Sequence, residues 1–328
     1  MIARRHFLTA SAGLVLGVMG FPPYGFSQTG IKTARISVGF PPGGTSDVVA
    51  RLFAGAMSDY ASAVIVENRP GAGGRIAIEG LKGAARDGAA FLITPLATMT
   101  LYPHIYKSLR YDPFQDFIPV STVSGAPSLL TLSPVLPNSI RTLADFVAWC
   151  RANPKEATYG SPGAGTSPHF VGVQFARAAG FEYTHVPYQG NAPAAQAVLG
   201  GQIASSLLTI DSTLPYILSG NLRALATTGL RRSAFLPDVP TFIESGYPAI
   251  DLMDLWGIFL PAKTPSEIVE KLNESIQKAL GTDKVKAGLA RLGIEIDSVS
   301  LDRFARLMRS DFERWASIVQ SSGFTPQD

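Results

Sequence analysis

The stretch Gly39-Phe40-Pro41-Pro42-Gly43-Gly44-Thr45-Ser46-Asp47 constrains this chain more than any other. Before it, Arg35-Ile36-Ser37-Val38 is short and partly β-branched, which reads as a strand. After it, Val48, Val49, Leu52, Phe53 and Met57 recur at the spacing of one helix face. The stretch is therefore a strand-to-helix turn. Pro41 and Pro42 stiffen the way in. Gly43 and Gly44 leave the backbone bare where a ligand can approach. Thr45 or Ser46 is placed to cap the helix, and Asp47 suits its first turn. The first N–H groups of a helix have no partner within it, so such a turn attracts anions.

The chain builds a second turn of this kind. Thr158-Tyr159-Gly160 leads into Ser161-Pro162-Gly163-Ala164-Gly165-Thr166-Ser167-Pro168-His169, and Phe170, Val171, Phe175 and Ala178 follow at helical spacing. The two turns differ mainly by one inserted residue. Each alone also reads as an ordinary turn between strand and helix. Together they suggest two lobes gripping one ligand. A branched side chain at Gly44 or Gly165 is then expected to intrude on the bound group.

Arg4-Arg5-His6-Phe7-Leu8 followed by an apolar run to Gly20 reads as an export signal over residues 1–27, with the arginine pair favouring the twin-arginine route. Without that segment, 28 basic residues become 26 against 25 acidic ones, and the formal charge falls from +3 to +1. That balance, with no basic run, gives nucleic acid nothing to bind. Cys150 is the single cysteine, so no internal disulfide forms. Its spacing with Leu143, Phe146 and Val147 marks a buried thiol.

The remaining pattern alternates strand and helix. Ala63-Val64-Ile65-Val66 and Phe91-Leu92-Ile93-Thr94 complete a βαβαβ run, which implies parallel pairing. Its intervening helix carries Ile76, Ile78 and Leu81. Pro95 to Thr100 lies at a strand's carboxyl end, where α/β proteins place ligands. Ser124-Gly125-Ala126-Pro127 reads as a crossing into a second lobe that repeats the alternation. Leu255 to Leu260 reads as a strand returning to the first lobe. A last helix with Leu301, Phe304, Met308, Phe312, Trp315 and Val319 on one stripe is expected to pack across that first lobe.

The usual catalytic signatures are missing. There is no Gly-x-Ser-x-Gly elbow, and Gly43-Gly44-Thr45-Ser46 lacks the Gly-Lys ending of a phosphate-binding loop. His104, His169 and His185 show no zinc-ligand spacing. Neither a cofactor nor a metal is expected. His169 stands out because it falls in the first turn after the second glycine-rich stretch.

At this point the chain resembles the Bug-type periplasmic solute-binding proteins of tripartite tricarboxylate transporters. The resemblance rests on Phe40 to Asp47, Val66 to Gly74, Tyr111-Asp112-Pro113 with Asp116 to Val120, Ser161 to His169, Val186 to Gly190, Leu199 to Gln202, Leu222 to Ala226, Leu236 to Thr241, and Trp256 through Pro265. It implies an α/β, two-lobed periplasmic-binding-protein fold of the Venus flytrap, type II-like kind, each lobe a mixed, mostly parallel sheet flanked by helices. Residues 28–125 and 251–328 would form one lobe and 126–250 the other. The implied ligand is a small organic carboxylate, a di- or tricarboxylate, aromatic acid or amino acid, held by backbone N–H groups and waters. The candidate ligand-binding residues are Phe40, Gly43, Gly44, Thr45, Ser46, Asp47, Ser161, Gly165, Thr166, Ser167 and His169, with Thr98 and Tyr188 from neighbouring loops. Asp47 is also a candidate to fix water or pair with an ammonium. The implied protein is a monomeric, non-enzymatic receptor in the periplasm, delivering its ligand to membrane permease subunits. An exported enzyme using Asp47 or His169, or a receptor presenting its ligand to a sensor kinase, are the alternatives. Ala204, Tyr102 and Gln189 depart from the family pattern, and the last two bear on which ligand is read.

Overall fold

Runs of alternating β-branched residues and amphipathic stretches resolve into strands and helices in a computed structural model that describes residues 31–327. The export signal read at residues 1–27 lies outside the described residues. Strands β1 (Ile31–Val38), β2 (Ala61–Asn68) and β3 (Ala90–Pro95) alternate with helices α1 (Thr45–Ala54) and α2 (Arg75–Lys82). β1 is parallel to both β2 and β3, as the βαβαβ pattern requires. In α2, Ala77, Ile78 and Leu81 are buried, whereas Ile76 is 50% exposed. Ile76 instead lies beside the Gly71 turn.

Two one-turn helices, α3 (Ala97–Thr100) and α4 (Tyr102–Ile105), lead to a long strand, β4 (Phe117–Leu132). It is followed by α5 (Leu143–Ala152), β5 (Thr158–Ser161), α6 (Ser167–Ala179), β6 (Thr184–Pro187), α7 (Asn191–Leu199), β7 (Ser205–Thr209), α8 (Ile210–Leu218) and β8 (Arg223–Thr227). The chain closes with β9 (Met253–Pro261), α9 (Ser266–Gly281), α10 (Asp283–Arg291) and α11 (Leu301–Ser322). Local chemistry sets several limits. Thr142 and Asp145 form a reciprocal capping box at the start of α5. Gly180 ends α6 in the left-handed region at φ 65°.

The strands make two lobes. The first sheet runs β2-β1-β3-β9-β4, and the second runs β8-β4-β7-β5-β6. β4 belongs to both: Phe117–Pro127 pairs with β9, and Ser128–Leu132 lies between β7 and β8. The expected crossing at Ser124–Pro127 is thus the middle of one strand, with register shifts at Pro119/Ser121 and Thr122/Ser124. Ile36, Val38, Val49 and Phe53 sit in the first core; Phe146, Tyr159, Phe170 and Phe175 sit in the second.

The last helix does not stay on the first lobe. Its apolar stripe is continuous, and at 1.5 Å per residue it is about 33 Å long. Phe304 and Met308 pack with Phe259 in the first lobe. Trp315, Ile318 and Val319 pack with Phe170 in the second. Trp315 is 2% exposed, and its indole donates to Asp311 at 3.1 Å. Trp315→Ala is expected to cost about 3–5 kcal/mol, the usual range for emptying a buried aromatic site. Urea denaturation at pH 7 reads this directly; a loss under 1 kcal/mol would show that α11 is not anchored in the second lobe.

Candidate functional site

Both glycine-rich turns are built on one plan. In the first, Gly43 has φ +82°, a value glycine adopts freely. Its N–H donates to Asp47 Oδ2 at 2.9 Å, four residues on. In the second, Gly165 has φ +74°, and its N–H donates to His169 Nδ1 at 3.2 Å, again four residues on. Asp47 and His169 are each the third residue of their helix, α1 and α6. The side chain folds back and closes the turn, which leaves the opening N–H groups of the helix without a partner of their own. Thr45 and Ser167 are the first residues of those helices and occupy matching places.

The structure revises the expected capping. Gly44 is the N-cap of α1 and makes no side-chain bond. The Thr45 hydroxyl instead donates to Asp211 Oδ2 at 2.5 Å, and Ser46 Oγ accepts from Trp256 Nε1 at 2.9 Å. Asp47 is 2% exposed, and both its oxygens are used inside the first lobe. Arg51 and Gly43 donate to Oδ2, and Asn68 donates to Oδ1. Burial alone would raise its pKa; the bonds from Arg51, Gly43 and Asn68 outweigh burial and hold the carboxyl below its usual value. Asp47 therefore braces the turn. Gly165 is likewise held by the fold, since a Cβ there would lie 2.6 Å from Ile105 Cδ1. A branched residue would collide with the protein before it met a ligand.

Behind the second turn, the rings of His169 and His185 stack at 4.0 Å. Ser161 Oγ lies 2.7 Å from His185 Nε2. Because Nδ1 of His169 accepts from an N–H, the neutral ring carries its proton on Nε2. Thr166 Oγ1 donates to Gly163 O at 2.7 Å. Tyr188 packs its ring against Gly160, and its N–H donates to Ser161 O at 3.0 Å. Phe40 packs against Gly74, which supports the first turn from below. The Thr98 hydroxyl donates to Pro95 O at 2.8 Å, at the carboxyl end of β3.

Three polar residues not anticipated from the sequence stand out; two of them meet the turns. Asp254 on β9 takes hydrogen bonds from Ser167 and from Ser128 Oγ, the latter at 2.9 Å. Asp211 is the second residue of α8 and accepts from the Thr45 hydroxyl of α1. Asn191 opens α7 and donates to Thr209 Oγ1 at 2.8 Å. The first residues of the two turn helices thus each meet a carboxyl group. Burial pushes Asp254 up to about 6, against the bonds from Ser128 and Ser167 and with help from Asp211 and Asp311. Burial also raises Asp211, against bonds from Thr209 and Thr45. A faint signal existed: Thr209-Ile210-Asp211 is a third strand-to-helix junction, and Asp254 is a lone charge in an apolar strand.

Two mixed lobes joined by shared strands, with paired helix starts between them, define the architecture of periplasmic binding proteins. The sequence matches the tripartite tricarboxylate transporter family receptor over residues 49–324, and the chain belongs to that family. It is 32% identical over 323 residues to protein BugT of Bordetella pertussis, covering 96% of this chain and 97% of BugT. R. palustris Rpa4515, solved with adipate, superposes with a TM-score of 0.83 at 29% identity, covering 90% of this chain and 99% of that one. MatC from Rhodopseudomonas palustris, solved with malate, gives 0.79 at 29% identity, with 88% and 99% covered.

The histidine pair sets a pH dependence. Burial lowers His169 to about 4; burial and the neighbouring His169 lower His185 to about 3. Both rings are neutral in the folded protein at pH values where the unfolded chain, titrating near 6.5, takes up protons. Stability is therefore full above pH ~6.5 and falls as pH drops toward 4, by about 1.4 kcal/mol per unit of displacement. Urea unfolding between pH 7.5 and 4.5 should show this fall, and the fall should shrink in His185→Gln. An unchanged slope in the variant would mean that His185 titrates as a free imidazole.

Proposed function

We propose that this protein is a periplasmic receptor that closes two lobes on a small organic carboxylate and passes it to the membrane permease subunits of a tripartite transporter. The proposed units are residues 28–125 with 251–328 against 126–250, except that the end of α11 from Trp315 packs in the second core; the signal at residues 1–27 would direct export. The observation that carries the reading is the matched pair of braced helix starts, Thr45 bonded to Asp211 and Ser167 to Asp254. Relatives solved with adipate and malate agree with a carboxylate ligand.

Energetics favour a two-sided grip. One helix terminus contributes about 0.3–1 kcal/mol when exposed and up to about 2 when partly buried. A micromolar ligand needs about 8 kcal/mol at standard state. The difference comes from enclosure and from hydrogen bonds made by both lobes at once. An enzymatic reading has one arrangement in its favour, the Ser161–His185 contact. A His185 pKa near 3 makes that ring a weak base at neutral pH, and its stacking on His169 gives it a bracing role.

A panel of di-, tri-, hydroxy-, amino- and aromatic carboxylates tests the proposal by thermal shift and small-angle X-ray scattering. The right ligand at 100 times its dissociation constant should stabilise the protein by about 2.7 kcal/mol and make it more compact. Thr166→Trp, placed between the lobes, should lose both responses. Stabilisation by a carboxylate with no change of shape in the intact protein would contradict the two-lobe grip, and no response to any carboxylate would contradict the receptor.

A further inference from the structure

The cleft network contains an imbalance. Asp211 and Asp254 meet the opening residues of α1 and α6, and the charge of Asp211 acts on Asp254. No lysine or arginine forms an ion pair with either among the described residues. Two acceptor oxygens are also left over. Asp211 Oδ1 is sealed from solvent and accepts nothing among the described residues. The same holds for Asn191 Oδ1. The two residues flank Thr209, since Asn191 donates to its hydroxyl and Asp211 follows it by two positions at the start of α8.

Buried carboxylates are ordinarily paired with a cation or satisfied by donors, because an unpaired one loses its hydration without return. A ligand made only of carboxylate and hydrocarbon would make matters worse. It would bring more negative charge against Asp211 and Asp254 and offer no donor to the vacant oxygens. A single hydroxyl supplies one proton and no charge. An ammonium supplies three donors and the missing positive charge. Its own carboxylate is then free to lie on the open N–H groups of the two helix starts.

We propose that the ligand of this cleft is an amino acid, its ammonium held by Asp211, Asn191 and Asp254 and its carboxylate by the N-terminal turns of α1 and α6. The proposal rests on the carboxylate-receptor reading and narrows it. Asp211 is the specificity-determining residue, because its Oδ2 is fixed by Thr45 at the start of α1 while its Oδ1 is left for the ligand.

Calorimetry on the full mature chain, stripped of ligand by unfolding and refolding, decides the matter. The probes are the proteinogenic amino acids, each with its 2-hydroxy and unsubstituted counterpart on the same carbon skeleton. At least one amino acid should bind at least tenfold more tightly than both counterparts. In Asp211→Asn that advantage should fall at least tenfold, while the ligand-free melting temperature stays the same or rises. Asp254→Asn should act in the same direction. If a hydroxy or unsubstituted acid binds as tightly as its amino partner, the ammonium site is wrong and the carboxylate receptor stands. If Asp211→Asn keeps the full preference with its fold intact, the assignment to Asp211 is wrong. If none of these acids binds but a carboxylate of the wider panel does, the amino-acid assignment is wrong and the carboxylate receptor stands; if none of either panel binds, both readings fall.

Discussion

An α-helix cannot satisfy its own first N–H groups, and the architecture of this protein follows from where it puts them. Twice a strand ends in a glycine-rich turn whose positive-φ glycine bonds forward to the third residue of the next helix. In the first lobe that residue is Asp47, held by Arg51 and Asn68. In the second it is His169, held by stacking on His185. Different chemistry thus freezes the same backbone shape on both sides. Two rigid donors are useful only if the lobes hold them in register. β4 and α11 do this, one as a strand shared by both sheets and the other as a helix with one end in each core.

Much of this was legible from local pattern. Proline, glycine and hydroxyl residues between an apolar strand and an apolar helix face fixed both turns, and the βαβαβ run predicted the parallel pairing of β1 with β2 and β3. What escaped was whatever depends on the lobes meeting. Thr45 and Ser46 have the composition of caps, yet tertiary partners took their hydroxyls. Gly165 reads as an opening toward a ligand, but Ile105, distant in sequence and packed in the second core, fills that space. The stripe of α11 revealed an apolar face without revealing that it serves two cores. Asp211 and Asp254 lie far from the glycine-rich motifs in sequence and reach them only through the fold.

The balance of charge in the cleft gives the arrangement its character. Helix starts attract anions, while Asp211 and Asp254 bring carboxyl groups to the same place. With Asp254 raised to about 6 by burial, the cleft resists holding all of this charge unaided. In the proposed closed form water leaves these groups, and each interaction strengthens as the cleft shuts. Affinity and closure are in this way the same event.

The central claim is that both turns hold one ligand together. Hydrogen–deuterium exchange with and without the tightest-binding carboxylate measures it most directly. The account predicts that amides at 44–48 and at 166, 167, 169 and 170 gain protection at the same ligand concentration. Protection confined to one turn, with the other exchanging as in the free protein, would contradict it.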